Sequence, residues 1–270
     1  MSYASRAMPI REVSRTGLAA LFALALAACA TPPEQGSTDR DVFDEANDPV
    51  EPVNRYVHDV NVALDDLVLN PIATVYKEGV PEPYRNGVRN FLNNLNMPMT
   101  ILNSALQGDW GNTIDASVSF FINTTAGLGG IFDIPGNFDE EPRREDFGQT
   151  LAVWGAGEGA YLVLPVFGPS NVRDTAGLAV DVLTDPLTYL LAPGWSYARG
   201  GSEVVQVRSD VDDRYDELRA TSIDFYATLR SLYRQRRQNQ ISNGEGDMPD
   251  LDAFSELEGD MAIEAAQSVE

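Results

Sequence analysis

Few side chains in this sequence could do covalent chemistry, and none has the company that such chemistry needs. His58 is the one histidine. It stands in a helical pattern with Asp59 beside it, and no G-x-S-x-G nucleophile elbow occurs, so a serine hydrolase would have to be assembled around His58 alone. A zinc centre would need more nitrogen or sulfur ligands than one histidine and one cysteine supply. Asp146-Phe147-Gly148 spells a magnesium-binding kinase triplet, but neither H-R-D nor a glycine loop with its lysine accompanies it. Gly155-Ala156-Gly157-Glu158-Gly159-Ala160 fits G-x-G-x-x-A. A dinucleotide site needs that pattern to open a helix, whereas here it runs into Leu162-Val163-Leu164-Pro165. Asp210, Asp212 and Asp213 lack the glycine and closing glutamate of a calcium loop. The expectation is a protein without catalytic residues, cofactor or metal.

The one cysteine is different. Arg6, Arg11 and Arg15 precede an apolar run, Gly17 to Ala28, that is too short to span a bilayer. The run ends in Leu26-Ala27-Ala28-Cys29, a small-residue cleavage site set directly before a thiol. Cys29 has no disulfide partner anywhere in the chain. Residues 1–28 therefore read as a lipoprotein signal peptide and Cys29 as the acylated residue; the plainer alternative is a secretory signal that happens to be cut near a cysteine. Several acyl chains on one residue would hold a protein on a membrane stably. Ala30 after the cysteine favours the outer membrane of a Gram-negative cell.

Charge narrows the partners further. The formal net charge is −22 over 270 residues, and removing the +2 of the first 28 residues leaves −24. A surface this acidic repels nucleic acid and anionic leaflets, so any lipid contact must be apolar or locally charged.

The elements that carry these features read as almost all-α. Residues 29–47 form a polar tether. Asp48-Pro49-Val50-Glu51 predicts a helix start, with Asp48 as cap, followed by an apolar face through Val53, Tyr56, Val57, Val60, Leu64, Leu67 and Val68. Asn70-Pro71 predicts a restart and Gly79 a stop. Pro81 and Pro83 open another helix, Met97-Pro98 a separate one stopped by Gly108, and Asp109 caps the next. Gly127 to Gly136 predicts a hairpin tip with exposed apolar side chains. Asp146 to Asp174 is rich in glycine and proline around two apolar cores, so an ordinary amphipathic helix is not expected there. Ser170 predicts a helix cap and Asp185-Pro186 a short helix. From about Tyr197 to Gln240 the pattern predicts one long helix of roughly 60 Å at 1.5 Å per residue, with Arg230, Arg234, Arg236 and Arg237 near its C-terminal end, where cations suit the dipole. The tail, 241–270, holds nine acidic residues and no Lys or Arg, which predicts disorder or weak folding on a partner. Asn90, Asn93, Asn94, Asn103 and Asn123 lie among apolar residues and point to hydrogen bonding between helices or a polar lining. The apolar glycine-rich segments either face lipid or pack in a core.

These residues also resemble a family. Between Asp48 and about Leu191 stand Asp48-Pro49-x-Glu51-x-x-Asn54-Arg55, Arg85-Asn86-Gly87-Val88-x-Asn90-Phe91, Asn123-Thr124-x-x-Gly127-x-Gly129-Gly130-x-x-Asp133, Asp146-Phe147-Gly148-Gln149-Thr150-Leu151, and Gly168-Pro169-Ser170 with Arg173-Asp174. In this order behind a lipobox the set is specific, and by it the chain resembles the VacJ/MlaA lipoproteins. His58-Asp59-Val60-Asn61 departs from the family's aromatic-asparagine alternation in the first helix. The resemblance implies a ring of short amphipathic helices embedded in the periplasmic side of the outer membrane, enclosing a polar channel, within a domain spanning 48–240. It implies removal of mislocalised phospholipids from the outer leaflet, delivery to a periplasmic phospholipid-carrier protein, and retention by trimeric outer-membrane porins. No reaction would be catalysed. Asn123, Gly127, Gly129, Gly130, Phe132 and Asp133 are the expected channel gate. The competing expectation is a structural or adaptor lipoprotein of the cell envelope whose apolar segments are core.

Overall fold

A computed structural model describes residues 46–134, 141–190 and 194–244. The expected signal peptide, Cys29, all but the end of the expected tether, Pro135 and Gly136 of the predicted tip, and the tail beyond Gly244 lie outside the described residues.

The chain is mostly helical, with one small hairpin. It opens with α1 (Glu51–Leu64), which passes through a π-helical turn (Asp65–Leu69) directly into α2 (Asn70–Gly79). The predicted break at Asn70 is therefore a widened turn, in which the Asn70 amide reaches back to the Asp65 carbonyl. Pro71 fits because the first turn of a helix needs no N–H from it. Asp48 does not cap α1. The residue before α1 is Val50, with no side-chain cap, because the Asp48 carboxylate is buried elsewhere.

The two helices predicted around Met97 are one, α3 (Glu82–Gln107), which runs through Pro98. A proline removes one N–H from the ladder, and packing along the whole length of α4 (Trp110–Thr125) outweighs that single bond. Gly108 ends α3 at φ +80° and Asp109 caps α4 through the Asn112 amide at 3.0 Å, as expected.

The Asp146–Asp174 stretch corrects the reading of its glycines and prolines. It begins as a helix, α5 (Phe147–Val153), capped by Asp146, and continues as an antiparallel hairpin of β1 (Tyr161–Leu164) and β2 (Gly168–Asn171). The hairpin was not predicted, since four-residue strands are too short to declare alternation. Asn171, not Ser170, caps α6 (Val172–Thr184), accepting from the Asp174 amide at 2.7 Å. A short α7 (Pro186–Leu190) follows as predicted. The single long helix is two, α8 (Trp195–Thr221) and α9 (Phe225–Ile241), parted at Ser222–Asp224, with Asp224 capping α9. The break turns α9 back onto α5 and β2.

Burial is inverted relative to a water-soluble protein. Among the described residues twenty buried side chains are polar or charged and six are hydrophobic, whereas thirty-two large hydrophobic side chains are exposed. In α4 the buried stripe is Asn112, Ala116, Ser119 and Asn123, and the outward stripe is Trp110, Ile114, Val118 and Phe121. α1 repeats the pattern, with Asn54 buried and Val53, Tyr56, Val60 and Leu64 exposed. Helical periodicity is intact, but the apolar stripe faces out.

Candidate functional site

The polar interior is a connected network, as buried polar groups require. Asn103 is fully buried, donates to Asp181 at 3.2 Å and accepts from the Thr150 hydroxyl at 2.9 Å. Gln107 donates to Glu145 at 2.9 Å and to Thr150 at 3.2 Å. Asn112 donates to Ser104 at 2.8 Å and to the Arg143 carbonyl at 3.0 Å. Burial pushes the Glu145 and Asp181 carboxyls above the usual carboxylate range. Of the asparagines singled out in the sequence, Asn94, Asn103 and Asn123 are buried, whereas Asn90 is half-buried and Asn93 exposed.

The glycine-rich tip sits at one edge of this interior. Asn123 donates to Asp133 at 2.9 Å and accepts from the Ile134 amide, so the tip's return leg is tied to α4. Gly129 and Gly130 have φ of +78° and +94°, and Leu128 also has positive φ. Asn94 of α3 clamps the turn from below, donating to Thr124 at 2.9 Å and to the Gly129 carbonyl at 3.1 Å. The fit is close: a Cβ at Gly130 would lie 2.4 Å from that of Asn94, and one at Gly127 would lie 2.3 Å from the Phe132 carbonyl. Leu128 and Phe132 project outward, 66% and 60% exposed. The predicted gate residues are thus brought together, and Asn94, expected only as an inter-helix or lining asparagine, is the clamp beneath them.

The remaining motif residues converge on a different feature, a clasp that holds α9. Arg237 forms two bonds of 2.7 Å with Asp146 and bonds of 2.8 and 3.0 Å with Asp174. Burial alone would raise both aspartates, but the Arg237 guanidinium holds them below the ordinary range. Asp174 also accepts from Tyr233 at 2.5 Å and from Arg173 at 3.0 Å. Gly148 makes the close approach possible, because a Cβ there would meet Arg237 Nη2 at 2.5 Å. Phe147 stacks edge-on against Trp154. Two helical turns away along α9, Arg230 bonds Asp48 at 3.0 Å, and the buried Asp48 also accepts from Tyr226 and from Asn54 at 2.7 Å. Arg55 pairs through Nε with Glu51 and through Nη1 and Nη2 with Asp224. Pro49 sits between buried Asp48 and the start of α1, and Gly168-Pro169-Ser170 forms most of β2, with Ser170 Oγ 3.1 Å from Thr175 Oγ1. Arg230, Arg234 and Arg237 are therefore ion-pair partners, with Asp48, with Glu158, and with Asp146 and Asp174, rather than dipole complements. Their spacing at 230, 234 and 237 places them on one helix face, which is the sequence signal that could have revealed the clasp.

His58 packs between Phe225 and Tyr226, each 5.5 Å from its ring, and burial lowers its pKa. The YLVLPVF segment divides, with Tyr161 and Val163 in the core and Val166 and Phe167 exposed. A groove of about 490 Å³ lies beside the clasp, lined by Ala46, Glu158, Ala227, Arg230, Ser231, Arg234, Gln235 and Gln238 rather than by the tip. Among the described residues no helix is long and apolar enough to cross a membrane.

Comparison with known proteins meets this geometry. The family model described as MlaA lipoprotein matches residues 46–240. The chain is 34% identical to the intermembrane phospholipid transport system lipoprotein MlaA of Escherichia coli K12, over 74% of this chain and 80% of that protein. It is 30% identical to the lipoprotein of the same description from Haemophilus influenzae, over 84% and 90%. A solved structure described as the structural basis for maintenance of bacterial outer membrane lipid asymmetry superposes with a TM-score of 0.63 at 36% identity, covering 72% of this chain and 98% of that one. With motif order, helical architecture and overall likeness in agreement, the chain belongs to the MlaA lipoprotein family.

Proposed function

We propose that this protein is the outer-membrane lipoprotein of an intermembrane phospholipid transport system, anchored through Cys29 on the periplasmic side. It takes mislocalised phospholipids from the outer leaflet and passes them to a periplasmic phospholipid-carrier protein, with trimeric porins holding it in place. The observation that carries this reading is the inverted body: outward stripes such as Trp110, Ile114, Val118 and Phe121, and an inward stripe of Asn112, Ser119 and Asn123. Apolar surface on that scale is stable only against acyl chains or a partner. A polar interior gives a charged head group hydrogen-bonding partners while its tails stay on the apolar side. No step in this route needs a bond to be made or broken.

The tip of Asn123, Gly127, Gly129, Gly130, Phe132 and Asp133 serves as the gate. Its positive-φ residues support this role, as does its attachment through the side chains of Asn94 and Asn123, because such a turn can change backbone conformation without unravelling α3 or α4. The test is deletion of the gene in its host, which should bring phospholipid to the cell surface and be reversed by the intact gene. Normal surface lipid in the deletion strain would overturn the reading. A Cys29→Ser form should still need detergent for extraction; release into buffer would instead indicate an adaptor held by its acyl chains alone.

A further inference from the structure

The β1–β2 hairpin ends in a turn that neither strand pairing nor the clasp explains. Leu164 pairs with Gly168, and Pro165, Val166 and Phe167 form the loop between them. Val166 has φ +70°. Proline followed by a positive φ is the pattern of a type II turn, in which the second position belongs to glycine, and a β-branched residue there is strained. The strain is held in place rather than relieved: the Val166 amide donates to Asn61 Oδ1 at 2.8 Å, and Asn61 Nδ2 donates to the Leu164 carbonyl at 3.0 Å. What this arrangement achieves is presentation, since Val166 is 58% and Phe167 70% exposed. Tyr161 to Asn171 contains no charged residue. Strain kept by a dedicated clamp at an exposed apolar tip points to a binding role for the tip.

The surroundings select the partner. Asn61 belongs to α1, whose Val60 and Leu64 are exposed on either side of it, so the tip continues the outward apolar face of that helix. A second copy of a chain with net charge −22 is repelled at long range, and the tip offers no charge with which to pair a protein partner. We propose that Pro165-Val166-Phe167 is a wedge that inserts among the acyl chains of the bilayer beside α1, giving the body a lipid contact separate from Cys29 and from the helix faces. The inference rests on the lipid-facing exterior proposed above.

Three single-cysteine forms of the full chain test it. Each carries Cys29→Ser, so that the introduced thiol is alone, with Phe167→Cys, Phe121→Cys or Asp213→Cys bearing a nitrobenzoxadiazole fluorophore. Vesicles of phosphatidylethanolamine and phosphatidylglycerol containing doxyl-labelled acyl chains serve as the probe. Quenching at positions 167 and 121 but not at 213, where the side chain is 91% exposed on α8, is the expected result. Quenching at 121 without quenching at 167 overturns the wedge and leaves the wider reading intact. Quenching at neither overturns both, and quenching at 167 alone supports the wedge while refuting a lipid-facing α4. As a second measurement, Val166→Gly with Phe167→Ser relieves the turn and removes the apolar knob. Unchanged circular dichroism with about tenfold weaker vesicle partitioning is expected, the lower end of what burying one phenylalanine supplies. Partitioning equal to that of the parent overturns the proposal.

Discussion

Replacing Arg237 with alanine should release α9 and do so with a distinctive pH signature. The Arg237 side chain is 10% exposed and is shared between Asp174, 9% exposed, and Asp146, 41% exposed. Removing one partner of a buried pair costs about 3–5 kcal/mol, because the other charge is left uncompensated. Since Asp146 keeps access to water, the lower part of that range applies, about 3–4 kcal/mol. For a body of this size that corresponds to a fall of about 6–16 °C in the unfolding midpoint. The guanidinium holds both aspartates below their ordinary pKa. Its contribution is therefore complete above the ordinary aspartate value of about 3.9 and is lost as pH falls through the depressed folded-state values. In Arg237→Ala the same carboxyls are buried without a cation, which pushes them up. The gap between parent and variant should be widest near neutral pH, narrow in acid, and close only once pH falls below the depressed folded-state values. The assay is thermal unfolding in mild detergent across this range, with Gly148→Ala as a second route to the same defect, since its new Cβ would collide with the Arg237 guanidinium. A loss under about 1 kcal/mol, or a gap that does not narrow in acid, would refute the claim that the motif acids exist to hold α9.

Further outcomes can be checked with the same preparations. Gly130→Ala should be markedly worse than Gly129→Ala, although both have positive φ: the first would press on Asn94 at 2.4 Å, whereas the second meets nothing closer than 3.9 Å. We expect about 1–2 kcal/mol for the backbone alone at Gly129 and a further loss at Gly130, with surface phospholipid rising only in the latter; equal effects would argue against the Asn94 clamp. Asn103→Leu should cost about 1–3 kcal/mol in detergent, because Thr150 and Asp181 lose their buried partner, and a stabilised variant would contradict the polar interior. His58→Ala should leave lipid transport intact. It should also remove part of the loss of stability on acidification, because a histidine whose folded pKa is lowered contributes above its unfolded value of about 6.5 and ceases to as pH falls below it. A transport defect with an unchanged acid limb would return His58 to a functional role.

Legibility varied with the range of the interaction. Caps and stops such as Asp109, Gly108, Gly79 and Asp185-Pro186 were readable because each acts within one helical turn. Pro98 misled for the same reason: the local rule predicts a break, and the long packing of α3 on α4 overrides it. Asp48 and Ser170 looked like caps, and tertiary partners claimed the first, while Asn171 offered its side chain to the Asp174 amide in place of the second. The division of the long helix at Ser222–Asp224 follows from where α9 finds Asp146 and Asp174, partners that lie 91 and 63 residues before Arg237.

By itself the sequence determined the helical class and the family, since these follow from local propensity and motif order. It also marked which helix faces are apolar. It could not say that those faces point outward, because 3.6-residue periodicity is the same whether the apolar stripe meets a core or a bilayer. Only the tertiary structure decided that, by burying Asn54, Asn103, Asn112 and Asn123 together and leaving Tyr56, Ile114 and Phe121 outside. It decided, too, that Asp48, Asp146, Gly148 and Asp174 meet one arginine-bearing helix face, a convergence fixed by three-dimensional closure of the chain, of which the sequence shows only the one-face spacing of the arginines.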